Sequence, residues 1–271
     1  MKKVIDSFAT TFMLVSRIMI KRSIRPEYRY TVLFLPIIGV LIIPILGLTG
    51  ALSRMIFVEP FLIAVSVLCV QYGLFNIFHF DGLLDSADAL IVFAGREKRL
   101  DILKDVKIGS FAFFVGAMYL AVKLYLLSRG AAMVFLAEGG LPARIALSMM
   151  LLSFGISGRA AAAMLPCVLR PARPGGLGAL LTGSKIQYAI FGTIISIIPS
   201  LLCWIALPGG ADEHGWFLLL VFLSIPGASL LTGLWYARKI GGYTGDALGL
   251  AVELGELVHL LIFFIIIKGA F

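Results

Sequence analysis

The stretch TVLFLPIIGVLIIPILGLTG, residues 31–50, contains no charged side chain. An α-helix rises about 1.5 Å per residue, so about 20 apolar residues are enough to cross the hydrocarbon core of a bilayer. Comparable runs recur along the chain and predict about seven membrane-spanning helices, at 31–50, 56–80, 111–128, 144–165, 186–207, 216–236 and 248–267. We therefore predict an all-α, polytopic integral membrane protein.

The composition agrees with this fold class. Hydrophobic residues make up 60% of the 271 residues and charged residues 14%, with a mean hydropathy of +1.02. The longest segment outside the predicted spans, 81–110, is too short for a domain of its own, so residues 1–271 are predicted to form a single membrane-embedded catalytic domain. The first 20 residues place apolar Phe8 and Phe12 between polar positions, which predicts a short helix in the membrane interface.

Basic residues are distributed unevenly over the predicted loops. Seventeen Lys and Arg residues lie on one side of the predicted membrane, in 2–29, 96–107, 170–185 and 238–239, against four on the other side. Positive residues mark the cytoplasmic side, so the N-terminus and these loops are predicted to be cytoplasmic in the inner membrane of a prokaryote. The net charge of +8 is then explained by membrane orientation and by contact with anionic lipids, so the expected partner is the lipid bilayer. No nucleic-acid partner is expected.

Three aspartates stand close together in FHFDGLLDSADAL, residues 78–90. In a helix, the positions of Asp81, Asp85 and Asp88 fall within about 60° of one another and form one negative stripe. Like charges at this spacing repel unless a cation lies between them. A solvated helix face is the alternative, but this segment has no basic residue among its acids. The stripe therefore predicts a site for a hard cation such as Mg²⁺.

A second acidic segment lies near the C-terminus, in GGYTGDALGLAVELGEL, residues 241–257. Glu253 and Glu256 fall inside the last predicted span, where buried acids are costly and usually functional. They could instead form structural salt bridges with Arg159 or Lys123. Arg159 itself could equally contact a phosphate.

The acidic stripe, the basic residues Lys104 and Lys107, and a buried arginine together describe a Mg²⁺-diphosphate site. In such sites the metal joins carboxylates to phosphate oxygens, and cations neutralise the transferring phosphoryl group. The residues therefore predict a phosphotransferase within a membrane.

Four motifs identify a resemblance along nearly the whole chain. They are HFDGLLDSADAL at 79–90, REKRLDILKDVKIGSF at 96–111, ARPGGLG at 172–178 and the 241–257 segment. With them the chain resembles the cobalamin synthases, the adenosylcobinamide-GDP ribazoletransferases of vitamin B12 synthesis. The chain departs from the family pattern at four positions without losing an acid: Ala89, Lys107, Ala112 and Gly175.

The resemblance implies a Mg²⁺-dependent reaction in which α-ribazole, or its 5′-phosphate, attacks the diphosphate of adenosylcobinamide-GDP and releases GMP. It implies metal and diphosphate binding by Asp81, Asp85, Asp88 and Asp105. Phosphate or substrate contacts are implied for Lys107, Arg159, Arg173, Thr244 and Glu256. Lys104 lies with Lys107 in the loop that precedes residue 110, called the basic loop below, and is expected to contribute to the same site. The acids that the metal leaves free to act as general base are Asp105, Asp246, Glu253 and Glu256, of which we favour Glu253.

Two other functions compete with this one. A CDP-alcohol phosphotransferase also uses an aspartate cluster, but its pattern requires Ala-Arg where this chain has Asp85 and Ser86. A cation transporter also places acids in spans, but near the midplane and usually within internal repeats. The sequence leaves open whether the chain forms a homo-oligomer.

Overall fold

The computed structural model describes residues 2–21, 24–137, 140–205 and 216–268. These residues form helices and no strand, which confirms the all-α prediction. The helices are α1 (Lys2–Leu14), α2 (Thr31–Ile56), α3 (Pro60–Gln71), α4 (Ile77–Ile91), α5 (Arg96–Ile102), α6 (Ser110–Leu136), α7 (Gly140–Leu152), α8 (Phe154–Val168), α9 (Gly176–Leu180), α10 (Ile186–Ile205), α11 (Trp216–Ile240) and α12 (Gly245–Lys268). A π-helical turn, Tyr72–Asn76, joins α3 to α4.

Six helical segments of the described chain are long and apolar enough to cross a membrane: Thr31–Ile56, Pro60–Ile91, Ser110–Leu136, Gly140–Val168, Ile186–Cys203 and Gly245–Ile265. The polytopic membrane class is therefore confirmed, whereas the count of seven is not. The remaining predicted span, 216–236, lies within α11, which is not among the six. Residues 206 and 207, the end of another predicted span, lie outside the described residues.

One predicted boundary was wrong. The second span was expected to end at residue 80, but its helix continues through the π-turn to Ile91. The acidic stripe therefore belongs to the end of a spanning helix and not to a separate loop. The predicted span 144–165 is built from α7 and α8, which meet at Ser153.

Helix α1 confirms the predicted N-terminal helix, although it ends at Leu14. Its polar side faces the protein: the Tyr30 N–H donates to Ser7 Oγ at 3.2 Å, and the Thr11 hydroxyl donates to that of Thr31 at 3.2 Å. Val4 and Ile5 are exposed. Its position in a membrane interface stays a prediction.

Helix α8 lies in the middle of the bundle and packs against α2, α10, α11 and α12. Small residues permit these approaches, as they do between helices in membranes generally. An added Cβ at Gly39 of α2 would lie 2.7 Å from the Gly155 oxygen and 2.8 Å from the Ile156 Cα. On the opposite face of α8, a Cβ at Gly255 would lie 2.8 Å from the Gly158 Cα. These contacts fix the distances from α8 to α2 and to α12.

We expect Gly39→Ala to lower the thermal unfolding midpoint in detergent by several degrees. The new methyl group meets backbone atoms of α8, and overpacking of this kind costs about 1–3 kcal/mol. Gly227→Ala is the matched control, because a Cβ at Gly227 has no described atom within 4 Å. Equal midpoints for the two variants would contradict this account of the α2–α8 contact.

Candidate active site

The two acidic segments meet where α4 packs against the start of α12. A Cβ at Gly82 would lie 2.8 Å from the Asp246 backbone oxygen and 3.1 Å from the Gly249 Cα. The helices run antiparallel, since Gln71 and Asn76 contact Glu256 and Glu253 further along. Two segments that are more than 130 residues apart in the sequence therefore form one region.

The acidic cluster comprises Asp81, Asp85, Asp88 and Asp246. Asp81 is exposed, and the other three are partly buried. Asp81, Asp88 and Asp246 all act electrostatically on the Asp85 carboxylate. Among the described residues, no Lys, Arg or His lies within ion-pair distance of these four carboxylates.

Uncompensated, partly buried carboxylates suit a hard cation. No three Asp, Glu, His or Cys side chains of the described chain form a complete metal-ligand group. Mg²⁺ typically takes one or two carboxylates and completes its shell with water and substrate phosphates. The donor chemistry of the acidic cluster therefore fits Mg²⁺ held together with a phosphorylated substrate.

Asp88 has a structural contact that the sequence did not reveal. Its Oδ2 accepts from the Gly109 N–H at 2.6 Å, and its Oδ1 accepts from the Ala112 N–H at 2.9 Å. Asp88 thus caps the N-terminus of α6 from a different helix, which satisfies free amides of its first turn. This contact requires glycine at position 109, because a Cβ there would lie 2.5–2.7 Å from the carboxylate.

The basic loop is exposed and lies next to the acidic cluster through Gly109. Lys104 pairs with Asp101 at 3.2 Å, and the Asp105 carboxylate accepts from the Lys107 N–H at 3.1 Å. Within the described chain, Asp105, Lys104 and Lys107 make no hydrogen bond or ion pair with the acidic cluster. Their roles toward metal and phosphate stay predictions.

The glycine-rich segment 172–178 borders the start of α12. Tyr243 N–H donates to the Arg170 oxygen at 3.0 Å, and Ala172 N–H donates to the Tyr243 oxygen at 2.8 Å. Tyr243 also donates its hydroxyl to the Gly178 oxygen at 2.7 Å. Burial and the nearby Cys167 thiol raise the pKa of Tyr243 to about 12, so it is a neutral donor.

A pocket of about 200 Å³, including its open mouth, lies between this segment and α12. Arg173, Gly175, Gly176 and Thr244 are among its lining residues, and both glycines have positive φ, 94° and 75°. Arg173 is partly buried and acts electrostatically on Asp246. The Thr244 hydroxyl donates to Asp246 Oδ2 at 3.0 Å. The pocket therefore combines a cation, the N-terminal end of a long helix and a direct connection to the acidic cluster.

Two arginines of the 96–111 motif hold this region together. Arg96 donates to the Ile240 oxygen at 2.8 Å and to the Ala172 oxygen at 2.7 Å. Arg99 donates to the Ala89 and Leu90 oxygens at the end of α4, at 2.8 and 2.9 Å. Their place in the 96–111 motif was the only signal in the sequence that set them apart from other basic residues.

Deeper in the bundle lies a second charged group, the buried network of Lys123, Arg159, Glu253 and Glu256. All four side chains are fully buried. Lys123 Nζ lies 2.6 Å from Glu256 and 3.2 Å from Glu253, and Arg159 Nη1 lies 3.3 Å from Glu256. Two cations thus balance two carboxylates, which is the structural salt-bridge arrangement that the sequence left open as an alternative.

The buried network is separate from the acidic cluster. Glu253 and Glu256 follow Asp246 by seven and ten residues on α12, which corresponds to about 10–15 Å along the helix axis. The general-base role of Glu253 and the phosphate contact of Arg159 stay predictions. His259 is packed and bonded to Ser157 and Met150, whereas His79 Nε2 is buried with no hydrogen-bond partner in the described chain.

Fold and site together define a polytopic helical membrane protein with an acidic cluster and a glycine-rich pocket at one end of its bundle. The family model described as Cobalamin-5-phosphate synthase matches residues 7–264. The chain belongs to this cobalamin synthase family. Membership of this family favours the cobalamin synthase interpretation over the CDP-alcohol phosphotransferase and cation transporter alternatives.

Curated relatives carry a consistent name. The chain is 32% identical over 231 residues to the adenosylcobinamide-GDP ribazoletransferase of Citrobacter koseri, covering 82% of this chain and 86% of the relative. It is 31% identical over 234 residues to the enzymes of that name from Shigella boydii and Escherichia coli, with the same coverage. No solved structure matches the chain.

We expect Gly109→Ala to destabilise the start of α6. The new methyl group would displace the Asp88 carboxylate from the Gly109 and Ala112 amides, and loss of an N-cap costs about 0.5–2 kcal/mol. Hydrogen exchange at residues 109–113 should accelerate. Gly95→Ala is the matched control, since Gly95 also precedes a helix with extended backbone but has no described atom within 4 Å of an added Cβ. Similar exchange in both variants would contradict the capping role of Asp88.

Proposed function

We propose that the protein is a Mg²⁺-dependent phosphotransferase that joins adenosylcobinamide-GDP to α-ribazole, or to its 5′-phosphate, and releases GMP. The family and the names of the relatives support the ribazoletransferase reaction. The observation that carries the proposal is the meeting of Asp81 and Asp85 with Asp246 beside the Arg173 pocket. Acids without basic partners next to a pocket with an arginine match a metal-diphosphate substrate.

Asp81 and Asp85 are the proposed metal ligands. They are the members of the acidic cluster that are free of hydrogen bonds to backbone amides in the described chain, whereas both oxygens of Asp88 are used in capping α6. Bound Mg²⁺ would polarise the diphosphate and neutralise its charge. Asp88 then contributes negative charge and holds the basic loop beside the metal ligands.

Arg173 and Thr244 are proposed to hold the phosphates in the pocket. A guanidinium can donate two parallel hydrogen bonds to one phosphate, and helix N-termini favour anions. Lys104 and Lys107, on the exposed loop that ends at Gly109, are proposed to reach the same phosphates as point charges.

Asp246 is the better placed general base. The attacking ribose hydroxyl needs a carboxylate within hydrogen-bond reach. Asp246 belongs to the acidic cluster, and Thr244 orients its carboxylate. The Glu253 carboxylate, favoured by the sequence, is fully buried and accepts from Tyr72, Asn76 and Lys123.

Asp85→Asn should lower turnover at least about 100-fold, because it removes a proposed metal ligand and one charge that balances Mg²⁺. The measurement is GMP release from adenosylcobinamide-GDP with α-ribazole and Mg²⁺, with gel filtration in detergent to verify folding. Asp101→Asn is the matched control, since Asp101 is an exposed acid that pairs only with Lys104 in the described chain. Near-normal activity of Asp85→Asn at saturating Mg²⁺ would remove Asp85 from the metal site.

The acidic cluster is proposed to face the cytoplasm, as the distribution of basic residues indicates. Phe93, just beyond α4, and Met55, at the far end of α2, are both strongly exposed and lie at opposite ends of the bundle. In a cysteine-free background, a membrane-impermeant maleimide should label Met55→Cys in intact cells, and Phe93→Cys only after the cells are opened. The reverse pattern would show the opposite orientation.

A further inference from the structure

A π-helical turn, Tyr72–Asn76, interrupts the helix that carries the acidic cluster. Single π-turns inside α-helices are rare and occur frequently at functional sites. Residues five apart lie about 140° from each other on an α-helix, whereas i→i+5 hydrogen bonding brings them towards the same face. Gln71 and Asn76, at the two ends of the turn, thus both reach the Glu256 carboxylate.

The polar side chains of this turn end on the two glutamates of α12. Gln71 donates to Glu256 at 2.7 Å, and the Tyr72 hydroxyl donates to Glu253 at 2.7 Å. Asn76 Nδ2 lies 3.0 Å from oxygens of both glutamates. The carboxylates therefore hold the turn from its first residue to its last.

The two cations hold the other side of the same carboxylates. Lys123 of α6 also donates to the Tyr72 hydroxyl at 2.9 Å, and its ammonium lies 4.7 Å from the Tyr72 ring centroid. Arg159 of α8 donates to Asn76 Oδ1 at 2.9 Å. Each cation thus contacts both the turn and a glutamate, so α6, α8 and α12 all converge on the π-turn.

The π-turn determines which way the aspartates face. One additional residue in a helical turn rotates all that follows by about 100° relative to an uninterrupted α-helix. Asp81 and Asp85 follow the turn within the same helix. This part of the helix packs so closely against α12 that a Cβ at Gly82 would lie 2.8 Å from the Asp246 backbone oxygen. Without the turn, the face that carries Asp85 would point about 100° away from α12.

We propose that Gln71, Tyr72, Asn76 and Lys123 are positioning residues for the acidic cluster. Together with Glu253, Glu256 and Arg159 they stabilise the π-turn, and the π-turn orients Asp81 and Asp85 toward Asp246. In this proposal Glu253 stabilises the π-turn and does not accept the proton of the attacking ribose hydroxyl. The kinetic part of this inference rests on the proposed phosphotransferase function.

The test compares a variant that unbalances the buried network with one that restores its neutrality. Lys123→Met leaves two buried carboxylates facing one cation, so the turn should loosen and kcat should fall about 100-fold, the effect of an ångström-scale misplacement. The KM for adenosylcobinamide-GDP should change much less. Adding Glu253→Gln removes the excess charge and keeps an acceptor for Tyr72 and Asn76, and joint replacement of a buried ion pair is often well tolerated. The double variant should therefore recover kcat to within about tenfold of wild type.

Two outcomes would overturn the proposal. If Glu253→Gln abolishes activity both alone and in combination with Lys123→Met, Glu253 has a chemical role. If Lys123→Met turns over normally, the network does not position the cluster. Tyr72→Phe, which removes one hydroxyl, gives the same comparison at lower risk to folding, with an expected kcat loss of a fewfold. Ser196→Ala is the control, because Ser196 is equally buried but bonds only to Gly192 of its own helix in the described chain.

Hydrogen exchange separates this proposal from the proposed function. Backbone amides of 72–88 should exchange faster in Lys123→Met than in wild type, and should regain protection in the double variant. This measurement needs no substrate, so a wild-type protein that releases no GMP would refute the proposed function and leave the exchange result decisive. Unchanged exchange in Lys123→Met would refute the positioning role whatever the activity.

Discussion

The bundle depends on one electrostatic constraint, which is that charges buried between apolar helices must be neutralised. Glu253 and Glu256 satisfy it with Lys123 and Arg159, all within hydrogen-bonding distance and fully removed from solvent. Removing one partner of such a group costs far more than the intact group contributes, because it leaves a buried charge unpaired. The network thereby ties α6, α8 and α12 to the π-turn, and the relative positions of these helices follow from it.

Glycine determines how closely these helices approach. Gly82 and Gly249 bring α4 and α12 into backbone contact beside the acidic cluster, and Gly158 and Gly255 do the same for α8 and α12 next to the buried network. At each crossing a side chain would separate the helices and draw charged partners apart. Packing and electrostatics are therefore coupled: the ion pairs require short interhelical distances, and the glycines allow them.

The sequence predicts the class of fold well because apolar length and charge distribution are local properties. It also places the segments of Asp85 and Asp246 at span ends on one predicted side of the membrane, where they can meet. It does not predict that Asp88 caps α6, because that contact joins residues 21 positions apart and brings the carboxylate so close to Gly109 that no room remains for a Cβ. The π-turn escapes prediction for a similar reason: its donors, at the end of α3 and in the turn itself, bind glutamates some 180 residues away.

Depth along α12 separates two uses of the same residue type. At its N-terminus, Asp246 has a threonine and the uncompensated acids Asp81 and Asp85 as neighbours, so a cation and a substrate can complete its environment. Two to three turns deeper, Glu253 and Glu256 already have their cations supplied by the protein. A carboxylate that is saturated by fixed donors has little capacity to exchange partners during a reaction, whereas one that lacks a basic partner can bind metal and release it. The proposed chemistry therefore belongs to the open end of the helix, and the proposed role of the buried end is to maintain the geometry on which that chemistry would depend.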